Sequence, residues 1–138
     1  MRLKHRANAI AAGVLISLTA GAGVAHAEGF KDTWISGWLP GKESSHWKDR
    51  NLDGTSTSIK FAKCSGTSDT NPFRYAGLQL KKERSWSPDP VVARDNNYCD
   101  TSYFGDRSAG GYYFNYTTYN GSNRVRSYLN VKDVTIRW

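Results

Sequence analysis

Hydrophobic and polar residues alternate along much of the chain after residue 27, and a period of two is typical of strands that bury one face. The alternation is clearest where Tyr112, Phe114 and Tyr116 occupy every second position. Asn120-Gly121 follows, and both residues tolerate the positive φ of a two-residue primed turn. This segment therefore predicts a β-hairpin.

Further strands are predicted from shorter runs of the same kind, separated by turn residues such as Pro40-Gly41 and Asp53-Gly54. No helical periodicity is found after residue 27. We predict an all-β fold, either a small antiparallel β-sandwich or a partly open barrel, formed as one domain by residues 28–138. The predicted strands are residues 33–38, 55–63, 73–83 (with a bulge at Gly77), 112–117, 125–131 and 134–138.

The first 27 residues have the organisation of a signal peptide. Three basic residues open this segment, residues 9–25 carry no charge, and Ala25-His26-Ala27 gives the small-x-small pattern of a cleavage site. A transmembrane anchor needs about 20 strongly apolar residues, and here Ser, Thr and Gly dilute the apolar run. We therefore predict a bacterial type of leader at residues 1–27, cleavage before Glu28, secretion to the extracellular space, and no membrane span in the mature form.

Cleavage changes the net charge of the working protein. The chain has 19 Lys and Arg against 12 Asp and Glu, and the leader holds three of the basic residues and none of the acidic ones. The mature chain keeps a net charge of +4, which favours solubility and does not by itself indicate nucleic-acid binding. We expect no nucleic-acid partner, and the sequence makes no prediction of oligomeric state.

Cys64 and Cys99 are the only cysteines in the chain. An exported protein meets oxidising conditions, so we predict that the two form a disulfide. The alternatives are a metal pair and a reactive thiol. Metal binding would require more ligands, and His46 is the only histidine outside the leader.

Aromatic residues are unusually frequent, and all 18 Phe, Trp and Tyr lie after residue 27. A small domain cannot bury all of these rings, and exposed Trp and Tyr often mark a binding surface. The alternative is that most of them build the core. The predicted ligand-binding aromatic residues are Trp34, Trp38, Trp47, Trp86, Tyr113 and Tyr119.

The positions of these rings in the strand pattern decide which are expected to be exposed. Trp34 and Trp38 are four residues apart, so they are expected on one face of a strand. Tyr113 is on the phase opposite to the predicted core. Trp47 and Trp86 lie in polar or Pro-rich segments, where burial is not expected.

Arg124 and Arg126 alternate after the predicted hairpin and are expected on one face, close to Tyr119. Sugars stack on planar aromatic rings while polar side chains complete the hydrogen bonds, and arginine also pairs with anionic groups. These two arginines are therefore added to the predicted ligand-binding residues, for a glycan or an anionic wall polymer.

Asp49, Asn51 and Asp53 fit the D-x-N-x-D-G opening of a calcium-binding loop. The resemblance to EF-hand-like loops covers only six residues. Position 12, where such loops carry a bidentate Glu, is Lys60, and no helices are predicted on either side. The alternative is a polar turn at Asp53-Gly54. Calcium at these three residues is the only candidate cofactor, and otherwise no cofactor is expected.

Glu43, His46 and Arg50 contain the residue types of a small basic hydrolase, although three polar residues in a loop are also typical of a solvated surface. We therefore predict first a small secreted non-catalytic binding protein, whose exposed aromatic residues bind a glycan or cell-envelope polymer. The alternative is an inhibitor of a secreted enzyme, acting through residues 85–92, which Pro88 and Pro90 would stiffen, or a bacteriocin-like effector. A small hydrolase is the third hypothesis.

Overall fold

The computed structural model describes residues 27–138, so the predicted signal peptide lies outside the described residues apart from Ala27. All regular structure in this range is β. No helix of residues 27–138 has the length and apolar character needed to cross a membrane. The strands are β1 (Phe30–Trp38), β2 (Trp47–Asp49), β3 (Ser58–Gly66), β4 (Ala76–Lys82), β5 (Val91–Asn97), β6 (Thr101–Tyr103), β7 (Gly110–Tyr119) and β8 (Leu129–Arg137).

The eight strands form two antiparallel sheets of four strands each. Sheet 1 has the order β1-β8-β3-β6, and sheet 2 has the order β2-β7-β4-β5. The buried faces of both sheets contribute to one hydrophobic core. The all-β prediction is confirmed, and of its two forms the antiparallel sandwich is the one observed.

Alternation along the strands decides which side chains enter this core. The inner face of β7 supplies large aromatic rings, and those of β3 and β8 supply mostly aliphatic side chains. Phe114 lies near the centre, with ring centroids 6.1 Å from those of both Trp38 and Phe61. The largest fully buried side chains are Tyr112, Tyr116, Tyr119, Phe61, Phe114, Ile59, Leu78, Leu80, Leu129, Ile136, Val131 and Val134.

The turn at Asn120-Gly121 is confirmed. Asn120 has φ 50° and Gly121 has φ 85°, and Tyr119 and Ser122 exchange backbone hydrogen bonds across the turn. The return strand is different from the prediction, because the chain leaves sheet 2 after this bridge and crosses to sheet 1. One continuous strand, β8, replaces the two strands predicted at residues 125–131 and 134–138.

Irregular pairing changes the faces on which several residues lie. The expected irregularity at Gly77 is confirmed, since the register between β4 and β7 shifts between Gly77 and Leu78. A second shift lies between Ile35 and Trp38 in β1, where Gly37 has φ 64°. The extra residue reverses the alternation there, which brings Trp38 against the core.

Three short strands lie where no strand was predicted. β2 forms inside the polar segment 42–51, and β5 and β6 flank Cys99. Each is an edge strand or adjoins a turn, so its own sequence pattern is short and mostly polar. Pairing with β7, β4 and β3 respectively stabilises them.

The predicted disulfide is confirmed. Cys64 in β3 of sheet 1 is bonded to Cys99, which follows β5 of sheet 2, and their Cα atoms are 5.9 Å apart. The buried side chain of Asn97 supports the same crossing, because its amide nitrogen donates to the carbonyl oxygen of Ile59 in sheet 1 at 3.2 Å. A covalent bond and a buried hydrogen bond therefore tie the two sheets at one end of β5.

We expect the double variant Cys64→Ala/Cys99→Ala to lose up to about 4 kcal/mol of unfolding free energy, because the bond closes a loop that would otherwise be free in the unfolded chain. The sequence separation that sets this value is 35 residues. Chemical denaturation with and without reductant measures the loss. Reduction should shift the wild-type midpoint and leave that of the double variant unchanged, and a wild-type midpoint insensitive to reductant would contradict the prediction.

Candidate functional site

Two of the predicted ligand-binding tryptophans are exposed as expected. Trp86 is 99% exposed in the β4–β5 connection, and Trp34 is 69% exposed on β1. They belong to different sheets, with Trp34 on the outer face of sheet 1. Trp38 does not share a face with Trp34, because the extra residue in β1 turns its ring toward Phe114.

The expected exposure of Trp47 and Tyr119 is wrong. Trp47 begins β2, pairs with Tyr112, and stacks between the rings of Tyr112 and Trp138 at centroid distances of 6.5 and 5.9 Å. Tyr119 is fully buried, and its hydroxyl donates to the carbonyl oxygen of Asn71 at 2.8 Å. Both rings belong to the core and cannot stack on a ligand.

The expected exposure of Tyr113 is also wrong, for a different reason. Tyr113 points away from the core as predicted, but the ring of His46 stacks on it at a centroid distance of 4.2 Å. Its hydroxyl donates to the Asp89 carboxylate at 2.8 Å. Burial, followed by this hydrogen bond, raises the pKa of Tyr113 to about 12. The same contact and the backbone N–H of Arg84 lower the pKa of Asp89, the N–H being the larger cause.

The residues predicted for a hydrolase do not meet. His46 contacts the Glu83 carboxylate through Nδ1. Arg50 instead donates from Nε to Glu28 at 2.9 Å, and Glu43 lies at the β7 edge in a bridge with Asn115. The predicted cluster of Glu43, His46 and Arg50 is therefore wrong, because the three side chains have different partners.

The candidate calcium residues serve as turn-forming groups. An Asp49 carboxylate oxygen accepts a hydrogen bond from the backbone N–H of Asn51 at 2.7 Å, and one of Asp53 accepts from that of Thr55 at 2.9 Å. Burial, and then the nearby Glu28 carboxylate among others, raises the pKa of Asp49. Within residues 27–138 no three His, Cys, Asp or Glu side chains are arranged to hold a metal ion. Calcium stays a prediction to which these contacts add no support.

Arg124 and Arg126 are exposed in the segment that crosses from sheet 2 to sheet 1. Their neighbour Tyr119 is buried, so the predicted surface of two arginines beside that ring does not form. The predicted ligand-binding residues as a group are therefore distributed between the core, the two sheets and this crossing.

Strand pairing instead assembles a polar surface on the outer side of sheet 2. Gln79 of β4 pairs with Asn115 of β7 on one side and with Arg94 of β5 on the other. Gly77, two positions earlier in β4, pairs with Thr118 and with Asn96 in the same way. Because positions two apart on a strand share a face, these side chains lie together. We name this surface the sheet 2 face, defined by Gln79, Arg94, Asn96, Asn115, Thr117 and Thr118.

The sheet 2 face contains an open depression of about 530 Å³. Gly77 permits the close approach of Thr118, since a Cβ at this position would lie 2.3 Å from the hydroxyl oxygen of Thr118. The Thr117 hydroxyl donates to the Gly77 carbonyl oxygen at 3.1 Å and holds the floor in place. The depression thus lies at the irregular pairing of Gly77.

Most polar groups of this depression have no partner within the described part of the chain. The side chains of Gln79, Arg94 and Asn96 make no hydrogen bond or ion pair there. The neighbouring Asn115 has a buried, unpartnered side-chain oxygen, and such an acceptor costs about 1–3 kcal/mol. The depression therefore presents free donors and acceptors from β4 and β5.

Aromatic rings lie at both ends of the sheet 2 face. Beyond Asn96, the rings of Tyr75 and Tyr98 are 5.0 Å apart, and Tyr98 is 58% exposed. Toward the other end, His46 covers Tyr113, and the connection that carries Trp86 begins beside His46. The sheet 2 face is therefore a polar trough with aromatic rings at each of its two ends.

The signal for this face was only partly present in the sequence. Asn115 is on the phase opposite to Tyr112, Phe114 and Tyr116. Gln79 is on the phase opposite to Leu78 and Leu80, so both were identifiable as outward-facing. Arg94 joins them only through the pairing of β4 with β5, which no local pattern predicts.

Comparison with protein-family models, curated proteins and solved structures finds no match for this chain.

We expect the stability of the wild-type protein to fall more steeply than that of Tyr113→Phe as the pH rises from 10 to 12. The folded state keeps Tyr113 protonated up to a pKa of about 12, while the unfolded chain ionises near 10, so its contribution is complete below pH 10 and is lost above it. Denaturant unfolding across this range measures the slopes. Tyr103→Phe, which changes an exposed ring, should keep the wild-type slope. Equal slopes for wild type and Tyr113→Phe would contradict the assignment.

Proposed function

We propose that this chain is a non-catalytic binding protein that acts outside the cell and holds a neutral glycan polymer on the sheet 2 face. The observation that carries the proposal is the set of unpartnered polar side chains in a trough with an exposed ring at its end. Such an arrangement matches a sugar chain, whose hydroxyls need both donors and acceptors and whose ring faces pack on aromatic side chains.

The chemistry of the trough favours an uncharged ligand. Amides and hydroxyls predominate, and each amide side chain both donates and accepts. The one cation of the face, Arg94, is next to Asp95, which also lines the depression. A strongly anionic or cationic polymer would therefore meet little net complementary charge at this surface.

The shape of the trough favours a polymer over a small free molecule. The depression is open, and its lining residue Asn96 lies two positions before the exposed ring of Tyr98. Small-molecule sites are usually concave enough to bury most of their ligand. An extended chain can lie along an open surface and gain contacts from each unit that it places there.

Retention on insoluble polymers tests the proposal. The purified protein is incubated with peptidoglycan, chitin and cellulose, and the bound fraction is measured as a function of polymer concentration. We expect saturable retention on at least one of them, weakened about tenfold or more by Tyr98→Ala and by Gln79→Ala, because each removes a ring or amide that faces the trough.

Trp34→Ala is the matched control, since Trp34 is equally exposed but lies on sheet 1. It should leave retention unchanged. Lack of retention on every polymer, or an equal loss in Trp34→Ala, would overturn the proposal.

The β4–β5 connection favours a second candidate function, inhibition of a secreted enzyme. Its tip presents Trp86 with almost its whole surface exposed, while Asp89 fixes its base by accepting from the backbone N–H of Arg84 and from the Tyr113 hydroxyl, both at 2.8 Å. A ring held on a restrained loop is suited to insertion into a pocket of a partner, because little conformational freedom is lost on binding.

Inhibition assays against a panel of secreted proteases and glycosidases separate the two candidates. If the connection is an inhibitory loop, Trp86→Ala should raise the inhibition constant about a hundredfold, as for a central interface residue, and Tyr98→Ala should have no effect. Absence of inhibition across the panel, or a loss caused equally by Tyr98→Ala, would leave glycan binding as the better explanation.

A further inference from the structure

A second polar cavity lies on the opposite side of the molecule, on the outer face of sheet 1. It has a volume of about 410 Å³ and is more enclosed than the depression of the sheet 2 face. None of the residues predicted for ligand binding lines it. We name it the cationic pocket and define it by the lining residues Thr55, Ser58, Lys60, Thr101, Tyr103 and Arg137.

Strand register places two cations next to each other in this pocket. Ser58 of β3 pairs with Arg137 of β8, and Lys60, two positions later, pairs with Thr135. Lys60 and Arg137 are thus diagonal neighbours on adjacent antiparallel strands, with Cα atoms about 7–8 Å apart. Ile59, between Ser58 and Lys60, is fully buried. The two rows of paired residues, Ser58 with Arg137 and Lys60 with Thr135, therefore face outward.

The two cations have no carboxylate partner within residues 27–138. Neither Lys60 nor Arg137 forms an ion pair there, and no Asp or Glu lines the pocket. The carboxylate in the row of Lys60 and Thr135 is that of Asp32, which pairs with Thr135. It already accepts a hydrogen bond from the Thr135 hydroxyl at 2.8 Å. The pocket therefore concentrates uncompensated positive charge.

Hydroxyl groups surround these cations on several sides. Ser58, Thr101 and Tyr103 come from β3 and β6 and lie in the same two rows as Arg137 and Lys60. Thr55 adds a second observation, because its hydroxyl oxygen is buried and has no hydrogen-bond partner within the described residues. Hydroxyl, ammonium and guanidinium groups in the lining of one cavity are the donors that bind a tetrahedral oxyanion.

Aromatic rings border the pocket at both ends of the Ser58 row. Tyr103 pairs with Ser58 on one side, and Phe30 of β1 pairs with Arg137 on the other. Both rings are about 70% exposed. A pocket of this volume is larger than a bare inorganic anion requires, and the rings offer apolar contact to whatever carries the anionic group.

We propose that the cationic pocket binds a phosphate or sulfate ester on a ring-bearing carrier. Lys60 and Arg137 hold the oxyanion, the hydroxyls of Ser58 and Thr101 donate to its remaining oxygens, and Tyr103 packs on the carrier. This site is independent of glycan binding on the sheet 2 face, from which it is separated by the core.

Titration by NMR or calorimetry tests the site, with phenyl phosphate, phenyl sulfate, inorganic phosphate and acetate as probes at constant ionic strength. We expect saturable binding of one or both phenyl esters, tighter than inorganic phosphate, with acetate binding weakest. The preference between the two esters identifies which oxyanion the pocket favours. Acetate binding as tightly as the esters would overturn the assignment to a tetrahedral oxyanion, and lack of saturable binding of both esters would overturn the site.

Substitutions of the two cations test whether the ester binds in the cationic pocket. Arg137→Gln and Lys60→Gln should each raise the dissociation constant for the preferred ester about tenfold or more, because each removes one charged partner. Both side chains are exposed, so these variants should fold. Lys132→Gln removes the same charge from β8 outside the pocket and should bind as the wild type does. Equal weakening by Lys132→Gln would indicate general charge attraction and overturn the proposal.

Tyr103→Ala tests the role of the carrier. It should weaken the ester and leave the affinity for inorganic phosphate unchanged, because the ring contacts the carrier and not the oxyanion. An unchanged affinity for the ester would overturn the ring contact. None of these results depends on retention by insoluble polymers, so failure of this site and failure of the glycan proposal are distinguishable.

Discussion

The packing of the aromatic inner face of β7 against the inner faces of β3 and β8 is the interaction on which the rest of the structure depends. Phe114 of sheet 2 contacts sheet 1 through Phe61 of β3 and Trp38 of β1. Each buried ring removes roughly 150–250 Å² from water, which makes these residues the largest contributors to the core. The outer face of each sheet is then left mostly to polar side chains.

The outer faces of sheet 1 and sheet 2 carry different chemical groups. On sheet 2, irregular pairing at Gly77 opens a trough of amides and hydroxyls with little net charge. On sheet 1, regular pairing of β3 with β8 places Arg137 diagonally from Lys60 without a compensating carboxylate in the pocket. The two proposed ligands, a neutral polymer and an anionic ester, would therefore lie on opposite sides of the protein.

The sequence predicted those features that depend on neighbouring residues. Alternation identified β7 and the inner positions of β3, Asn120-Gly121 identified the turn, and the export context identified the disulfide. The prediction from sequence failed where contacts with distant segments decide whether a residue is buried. Tyr113 has the pattern of an exposed residue and is buried because His46, far away in sequence, stacks on it.

The same limit on prediction from sequence applies more strongly to the candidate sites. Trp47 lies in a polar segment, yet pairing with β7 carries its ring into the core. The sheet 2 face takes residues from three strands and the cationic pocket from strands β3, β6 and β8, so neither forms a contiguous motif. Hydrophobic periodicity reports which way one strand faces, and it carries no information on which strand lies beside it.

The position of β8 has a consequence for how the chain folds. β8 lies between β1 and β3 and is the last of the eight strands to be synthesised. Until residues 129–137 have left the ribosome, β1 and β3 have no common neighbour and sheet 1 cannot close. Pairings between such distant segments are also slow to form. The nascent chain therefore cannot complete its core until β8 is available to pair with both strands.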